Sequence, residues 1–252
     1  FTMPSAALRY AAGRPTGHAG VLGALQHAMA GELPVECALD VGCGTGQSTV
    51  ALLSYARRIV GIDPSSEMLA QAPRHPRIDY RKGHAEALPF RRGDFDLVTV
   101  SSAYHWFDHE RFLGEAARVL RAHGWLVLYK VGSMGRIDRR PDFDRWRRDS
   151  LRARYPKVAR NSEPLTAEVA ARFGFTETTC ETISHQRRHT LDSYVNNLMT
   201  HSSVIRVVDG GQEPVSAARA WLRAELAPFF EEGGTEFTHE AQLHVLKRES
   251  RL

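Results

Sequence analysis

Residues 37–63, CALDVGCGTGQSTVALLSYARRIVGID, decide how the chain is read. They predict a short apolar strand, Cys37 to Val41, then a loop with glycine at every second position, Gly42, Gly44 and Gly46, then a helix over Gln47 to Arg57. Glycine tolerates positive φ and lets a ligand approach the backbone with no Cβ in the way. Three glycines in five positions at a strand-to-helix junction imply a sharp turn, a ligand contact, or both. In open α/β sheets such a junction is the carboxyl end of a strand, where nucleotide-like ligands sit.

Spacing narrows the ligand. The dinucleotide pattern G-x-G-x-x-G needs glycines at 42, 44 and 47, and position 47 is Gln; a P-loop needs a following Gly-Lys-Ser/Thr, which is absent. What remains is Asp-x-Gly-x-Gly-x-Gly, headed by Asp40. An acid there repels phosphate and suits an ammonium or sulfonium charge. A second strand, Arg58 to Ile62, ends in Asp63, whose carboxylate can accept two hydrogen bonds from ribose hydroxyls. Adenosine carrying a cation is the implied ligand.

LDVGCGTGQ followed by IVGID resembles the first two motifs of the class I S-adenosylmethionine-dependent methyltransferases. The resemblance implies an α/β, Rossmann-like doubly wound sheet of seven mostly parallel strands, an antiparallel last strand and a helical lid. It also implies S-adenosyl-L-methionine as methyl donor and S-adenosyl-L-homocysteine as product. In that family the glycine loop lies under the amino-acid moiety and the acid ending the second strand binds the ribose. Asp40, Gly42, Gly44, Gly46 and Asp63 are therefore cofactor residues by resemblance, with Ser101 at the end of the fourth strand. An N-terminal Tyr and an Arg-Pro pair often lie over the cofactor in small-molecule members. Tyr10, Arg14 and Pro15 look like that pattern, with Arg14 on the methionine carboxylate; the other reading is a surface arginine beside a loop proline. Gly83 to Phe90, GHAEALPF, resembles a Gly-Asp-Ala-Glu-x-Leu-Pro-Phe segment whose acid and following N–H meet the adenine. His84 replaces that acid here, while a backbone contact at Ala85 survives any side chain. Met68 or Ser65 is the candidate for the adenine face, and a buried core methionine is the alternative.

Composition sets the bounds. At 252 residues, 42% hydrophobic and 25% charged, the chain suits one methyltransferase domain over 1–252, with an N-terminal helical cap at 1–34 and lid insertions within 131–235. No run approaches the roughly 18 apolar residues of a membrane span, and no signal peptide is visible, which reads as cytoplasmic. Cys37, Cys43 and Cys180 are odd in number and lack metal-ligand spacing along the chain, so neither a disulfide framework nor a metal is expected. The net charge of +4 is concentrated: residues 136–160 hold ten Lys/Arg against four Asp. That segment either attracts an anionic acceptor or is a solvated helix face with interspersed acids.

Phe95 to Ser101, FDLVTVS, has the β-branched character of a central strand buried on both faces. Ser102-Ala103-Tyr104-His105-Trp106-Phe107-Asp108 follows, and three aromatics beside a His at a strand's carboxyl end are costly to expose. His-Trp-Phe resembles relatives of trans-aconitate methyltransferase at this position. His105 is the candidate general base; alternatively Tyr104, His105 and Trp106 wall the cavity. By resemblance the helices after the fifth and sixth strands form the acceptor lid, which makes Tyr194, Asn197, Met199 and His201 lid candidates, Tyr194 and Met199 for the acceptor. The expected reaction is methyl transfer to a small organic molecule, such as a specialised metabolite or small carboxylic acid. Two other readings stand beside it. One is a cofactor-binding scaffold without methyl transfer; the other is an RNA or DNA methyltransferase, disfavoured because no Asn/Asp-Pro-Pro-Tyr ends the fourth strand.

Overall fold

Residues 3–14, 17–29, 31–132 and 134–250 are described by a computed structural model. Its strands are β1 (Val35–Val41), β2 (Ala56–Asp63), β3 (Ile78–Lys82), β4 (Phe95–Ser101), β5 (Leu120–Lys130), β6 (Phe175–His189) and β7 (Thr235–Arg248). They form one sheet in the order β3-β2-β1-β4-β5-β7-β6. β1 is parallel to β2 and β4, β2 to β3, and β4 to β5, while β7 runs antiparallel to β5. This is the expected α/β topology. The order reverses between β1 and β4, and the crevice at such a switch point is where ligands bind in open sheets.

The central strands are buried on both faces, as their apolar runs require. Val98 and Val100 of β4 join one apolar cluster with Phe112, Leu113, Ala116 and Val119, whereas Leu97 joins the other with Leu52, Ile59, Trp125 and Val127.

The helices preceding β5 are α1 (Pro4–Gly13), α2 (His18–Leu22), α3 (Leu25–Ala28), α4 (Gln47–Ala51), α5 (Ser66–Leu69) and α6 (His109–Val119). α6 is capped by the Asp108 carboxylate, which accepts from Arg111 N at 3.1 Å. Each large side chain it buries contributes about 1.5–3 kcal/mol. The helix expected over His18 to Gly31 is instead two short pieces, broken at Gly23, a helix-poor residue. The helix expected to Arg57 stops at Ala51 and continues only as a 3₁₀ turn, Leu52–Ser54, before β2 begins at Ala56.

The chain divides into two compact units. One comprises 16–131, 160–183 and 241–252; the other comprises 1–15, 132–159 and 184–240. The expected N-terminal cap 1–34 is thus shared between them, and the second unit takes in most of the expected lid. The second unit has its own core, in which Phe143, Trp146, Tyr155, Tyr194, Leu222 and Phe237 pack together. Its basic segment is laced with ion pairs: Arg136–Asp138, Arg140–Asp142, Arg147–Asp144 and Arg154–Glu213. Among the described residues no helix is long and apolar enough to cross a membrane.

Candidate functional site

The glycine loop leaves β1 at the switch point. Gly42, Gly44 and Gly46 have φ of 71°, 55° and 79°, the left-handed region that favours glycine. Gly42 N and Cys43 N both donate to Ile62 O, at 2.8 and 3.1 Å, which ties the loop to the end of β2.

The three glycines answer to different neighbours. A Cβ on Gly42 would lie 2.6 Å from Ala103 Cβ and 3.2 Å from the Phe107 ring, and one on Gly46 would strike the Tyr80 hydroxyl. Both glycines therefore admit protein. At Gly44 a Cβ would meet only the flexible tip of Met68, at 3.2 Å, so Gly44 is the one whose outer face is not backed by rigid protein. Sequence spacing treats the three alike.

Asp63 closes the loop from β2. Its Oδ2 accepts from Gly44 N at 2.8 Å and its Oδ1 from Ser65 N at 2.9 Å. Burial raises its pKa, and these two backbone bonds oppose the rise. Each carboxylate oxygen has a second lone pair for a ligand hydroxyl.

Asp40 plays another part from the one its sequence position suggests. It is fully buried, so no face of its carboxylate is open to a ligand. Oδ2 accepts from Ser48 Oγ at 2.6 Å and Thr49 Oγ1 at 2.7 Å, and Oδ1 accepts from Thr99 Oγ1 at 3.1 Å. Burial pushes its pKa up to about 6 despite the three hydroxyls. The expected direct contact with a cation gives way to a pin that fastens the start of α4 to β4. Its charge can reach the loop only through space.

Around this loop, Met68 is 3% exposed with its tip over Gly44, and Ser65 caps α5 by accepting from Met68 N at 3.2 Å. Ala85 is buried, while His84 is exposed and bridged to Ala87. The segment carrying them is clamped from α6: Glu115 accepts from Leu88 N, and Arg118 donates to Leu88 O and Phe90 O at 2.8 and 2.6 Å.

The aromatic turn after β4 divides in function. The Tyr104 ring stacks on His109 with centroids 3.8 Å apart and meets Phe107 and Phe112 edge-on. It therefore supports the turn from within, and burial raises its pKa to about 12. His105 is half-buried, its ring 4.9 Å from Trp106, and its carbonyl accepts from Asn161 N. Trp106 is 44% exposed, with the Arg160 guanidinium 4.8 Å over its ring. Ser101 Oγ lies 3.4 Å from His18 Nδ1, which is 3.0 Å from the Tyr129 hydroxyl.

Four features escaped sequence reasoning. Thr45, inside the loop, is 3% exposed and its hydroxyl has no hydrogen-bond partner among the described residues. Leaving a buried hydroxyl unpaired costs about 1–3 kcal/mol, which a polar ligand on the loop would recover. Tyr80 fills the space over Gly46 and Gly61. Ser102 holds φ of 53°, an uncommon conformation for a non-glycine, with its Oγ accepting from Val131 N. The Glu115–Arg118 clamp is the fourth; its i,i+3 spacing on a helix was the available signal.

The remaining candidates belong to the other unit. Arg14 ends α1 with its guanidinium 5.5 Å from the Tyr10 ring centroid, and Pro15 lies outside the described residues. Tyr194 and Met199 are core residues there: Tyr194 is fully buried, with its hydroxyl on Met134 O at 2.7 Å, and Met199 is 1% exposed. Packing alone accounts for both, so their expected acceptor role has no exposed surface behind it. Asn197 and His201 stand in the same helical region.

A family model described as "Methyltransferase domain" matches residues 39–128, the span from the glycine loop through most of β5. A Dictyostelium discoideum protein provisionally named a methyltransferase is 36% identical over 99 residues, which are 39% of this chain and 38% of that protein. The match thus spans well under half of that relative's length. Among solved structures, one from Anaeromyxobacter dehalogenans, provisionally assigned as a type II methyltransferase, superposes with a TM-score of 0.65 at 24% identity, covering 90% of this chain and 95% of that one. Phosphoethanolamine N-methyltransferase 2 of Haemonchus contortus, in complex with S-adenosyl-L-methionine, gives 0.58 at 17% identity, covering 98% and 58%. With the family model lying on the glycine loop and its flanking strands, residues 39–128 match a methyltransferase domain, and the chain has the fold of the class I S-adenosylmethionine-dependent methyltransferases.

Proposed function

We propose that this chain transfers a methyl group from S-adenosyl-L-methionine to a small organic molecule. The observation that carries the reading is the junction of Asp63 with Gly44: a ribose-competent carboxylate joined at 2.8 Å to the one loop glycine not backed by rigid protein. The unpartnered Thr45 hydroxyl within that loop supports it, as does the donor bound to the Haemonchus neighbour.

Bound at the loop, the donor supplies a methyl already activated on a sulfonium, so the chain contributes placement rather than covalent chemistry. Asp63 would receive the ribose hydroxyls, Gly44 would allow close approach of the amino-acid part, and Met68 and Ala85 would offer apolar surface to the base. Aligning two reactants can lower a barrier by up to ~7 to 11 kcal/mol. Trp106 and His105, on the turn that leans on Gly42, would border the acceptor. Where the acceptor loses a proton, an imidazole nitrogen of His105 would take it. A small acceptor suits a turn whose exposed ring, Trp106, is a single aromatic face. The unpaired, buried Cys37 and Cys43 are compatible with a cytoplasmic setting.

Calorimetry with S-adenosyl-L-methionine tests the first step, and label transfer from its methyl group across a panel of small carboxylic acids, amines, phenols and thiols tests the second. Failure to bind the donor refutes the reading. Tight binding without label transfer to any acceptor favours the scaffold alternative, and label appearing only in RNA or DNA moves the acceptor class.

A further inference from the structure

We propose that Glu177, Cys180 and His244 form a divalent-metal site of the zinc class at the junction of β6 and β7. One ligand atom from each, a carboxylate oxygen, a thiol sulfur and an imidazole nitrogen, lies within 4.8 Å of the other two. The three groups belong to one unit of the chain, and the site is independent of the methyl-transfer reading.

Chain spacing does not reveal it. Cys180 and His244 are 64 residues apart and meet because β6 and β7 are neighbours in the sheet. Glu177 and Cys180 are three apart on one strand, and in a regular pleat they would project to opposite faces. β6 keeps one phase of alternation on both sides of Cys180, Glu181 and Thr182, and the Glu177 carboxylate and Cys180 thiol still come within 4.8 Å of each other.

The donor set selects the ion. Calcium and magnesium take oxygen ligands, so thiol and imidazole argue against them; a mixed S, N, O set suits zinc. At zinc–sulfur distances of about 2.3 Å and zinc–nitrogen or –oxygen distances of about 2.0–2.2 Å, neighbouring ligand atoms lie about 3.3–3.8 Å apart. Closing from 4.8 Å takes about 1 Å of side-chain motion, which an exposed Cys180 can supply. His244 Nδ1 and Glu177 Oε1 are already 2.6 Å apart. Glu177 can ligate directly or orient the imidazole as an outer carboxylate. Three protein ligands leave a fourth position for water. The metal would displace the Cys180 proton, and the bound ion would staple the edge strand β6 to β7.

The test uses the full chain under a non-thiol reductant. Cobalt(II) added to the wild type should produce a thiolate-to-cobalt charge-transfer band that one equivalent of zinc abolishes. Cys180→Ser should lose the band, while Cys37 and Cys43, both buried, remain as internal controls. His244→Ala should weaken zinc binding in calorimetry, and Glu177→Gln should weaken it on the order of 10- to 100-fold, the range for losing a carboxylate that holds a metal-binding imidazole. Circular dichroism verifies that each variant is folded. No band in the wild type, or a band unchanged in Cys180→Ser, overturns the proposal.

Discussion

Replacing Asp40 by Asn should stabilise the fold at neutral pH. The carboxylate is fully buried and burial pushes its pKa from an ordinary 3.8 to about 6. A carboxyl whose folded pKa is raised adds stability that is fully present below pH 3.8 and is lost as pH rises through about 6. At 1.36 kcal/mol per pH unit, ionising Asp40 in the folded state costs about 3 kcal/mol at pH 7. An amide avoids that cost without orphaning its neighbours. Its oxygen can accept from Ser48 and Thr49, and its NH₂ can donate to Thr99 Oγ1, whose own hydrogen turns toward Leu39 O, 3.5 Å away. Wild type and Asp40→Asn should match in stability near pH 4 and diverge through pH 4–6. Above that the variant should stay about 3 kcal/mol ahead. Urea titrations read by hydrogen exchange at the β1 and β4 amides measure this locally. Parallel stability profiles for the two proteins, or a variant less stable at pH 8, would refute the reasoning.

The same structure gives three further predictions. Gly46→Ala should lower the melting temperature more than Gly44→Ala, because both strain a positive φ but only the first also drives a Cβ into Tyr80, the second meeting just the Met68 tip; Gly44→Ala should also weaken donor binding, read by calorimetry. Asp63→Ala should weaken S-adenosyl-L-methionine binding on the order of 100- to 10,000-fold, since two hydrogen bonds to a charged acceptor are lost at about 1.5–3 kcal/mol each. In the other unit, burial beside His239 pulls the His189 pKa from 6.5 down to about 4, so His189 adds stability above pH 6.5 that is lost as pH falls through about 4. Exchange at Tyr194 and Phe237 amides should rise over that interval, by about 3 kcal/mol of lost protection, and His189→Gln should flatten the response.

The sheet was legible because its signals are local. FDLVTVS is a buried strand by composition alone, and its observed limits, Phe95–Ser101, are the expected ones. The glycine loop was legible for the same reason. What sequence could not give was the identity of each neighbour. Nothing in Asp-x-Gly-x-Gly-x-Gly says that the Asp40 carboxylate turns inward to three hydroxyls, because Thr99 lies 59 residues away on another strand. Tyr194 and Met199 have the look of lid residues in sequence, yet the aromatic core of their unit absorbs them. His84 was a substitution against a pattern, and its exposure depends on how the segment around it is laid down, which no local pattern states.

A charge buried at a cost of about 3 kcal/mol in the middle of a sheet calls for a compensating use. Among the described residues Asp40 is paired by hydroxyls alone, so its negative charge is distributed but not cancelled. A unit charge still contributes about 1–2 kcal/mol across ~10 Å at an effective dielectric near 20, enough to favour a sulfonium over its neutral thioether at the loop above. Stability and selectivity then pull in opposite directions at one residue, and Asp40→Asn separates them. If the charge serves the ligand, the stabilised variant loses on the order of ten-fold in affinity for S-adenosyl-L-methionine and little for S-adenosyl-L-homocysteine. If Asp40 is only a pin, the two affinities move together.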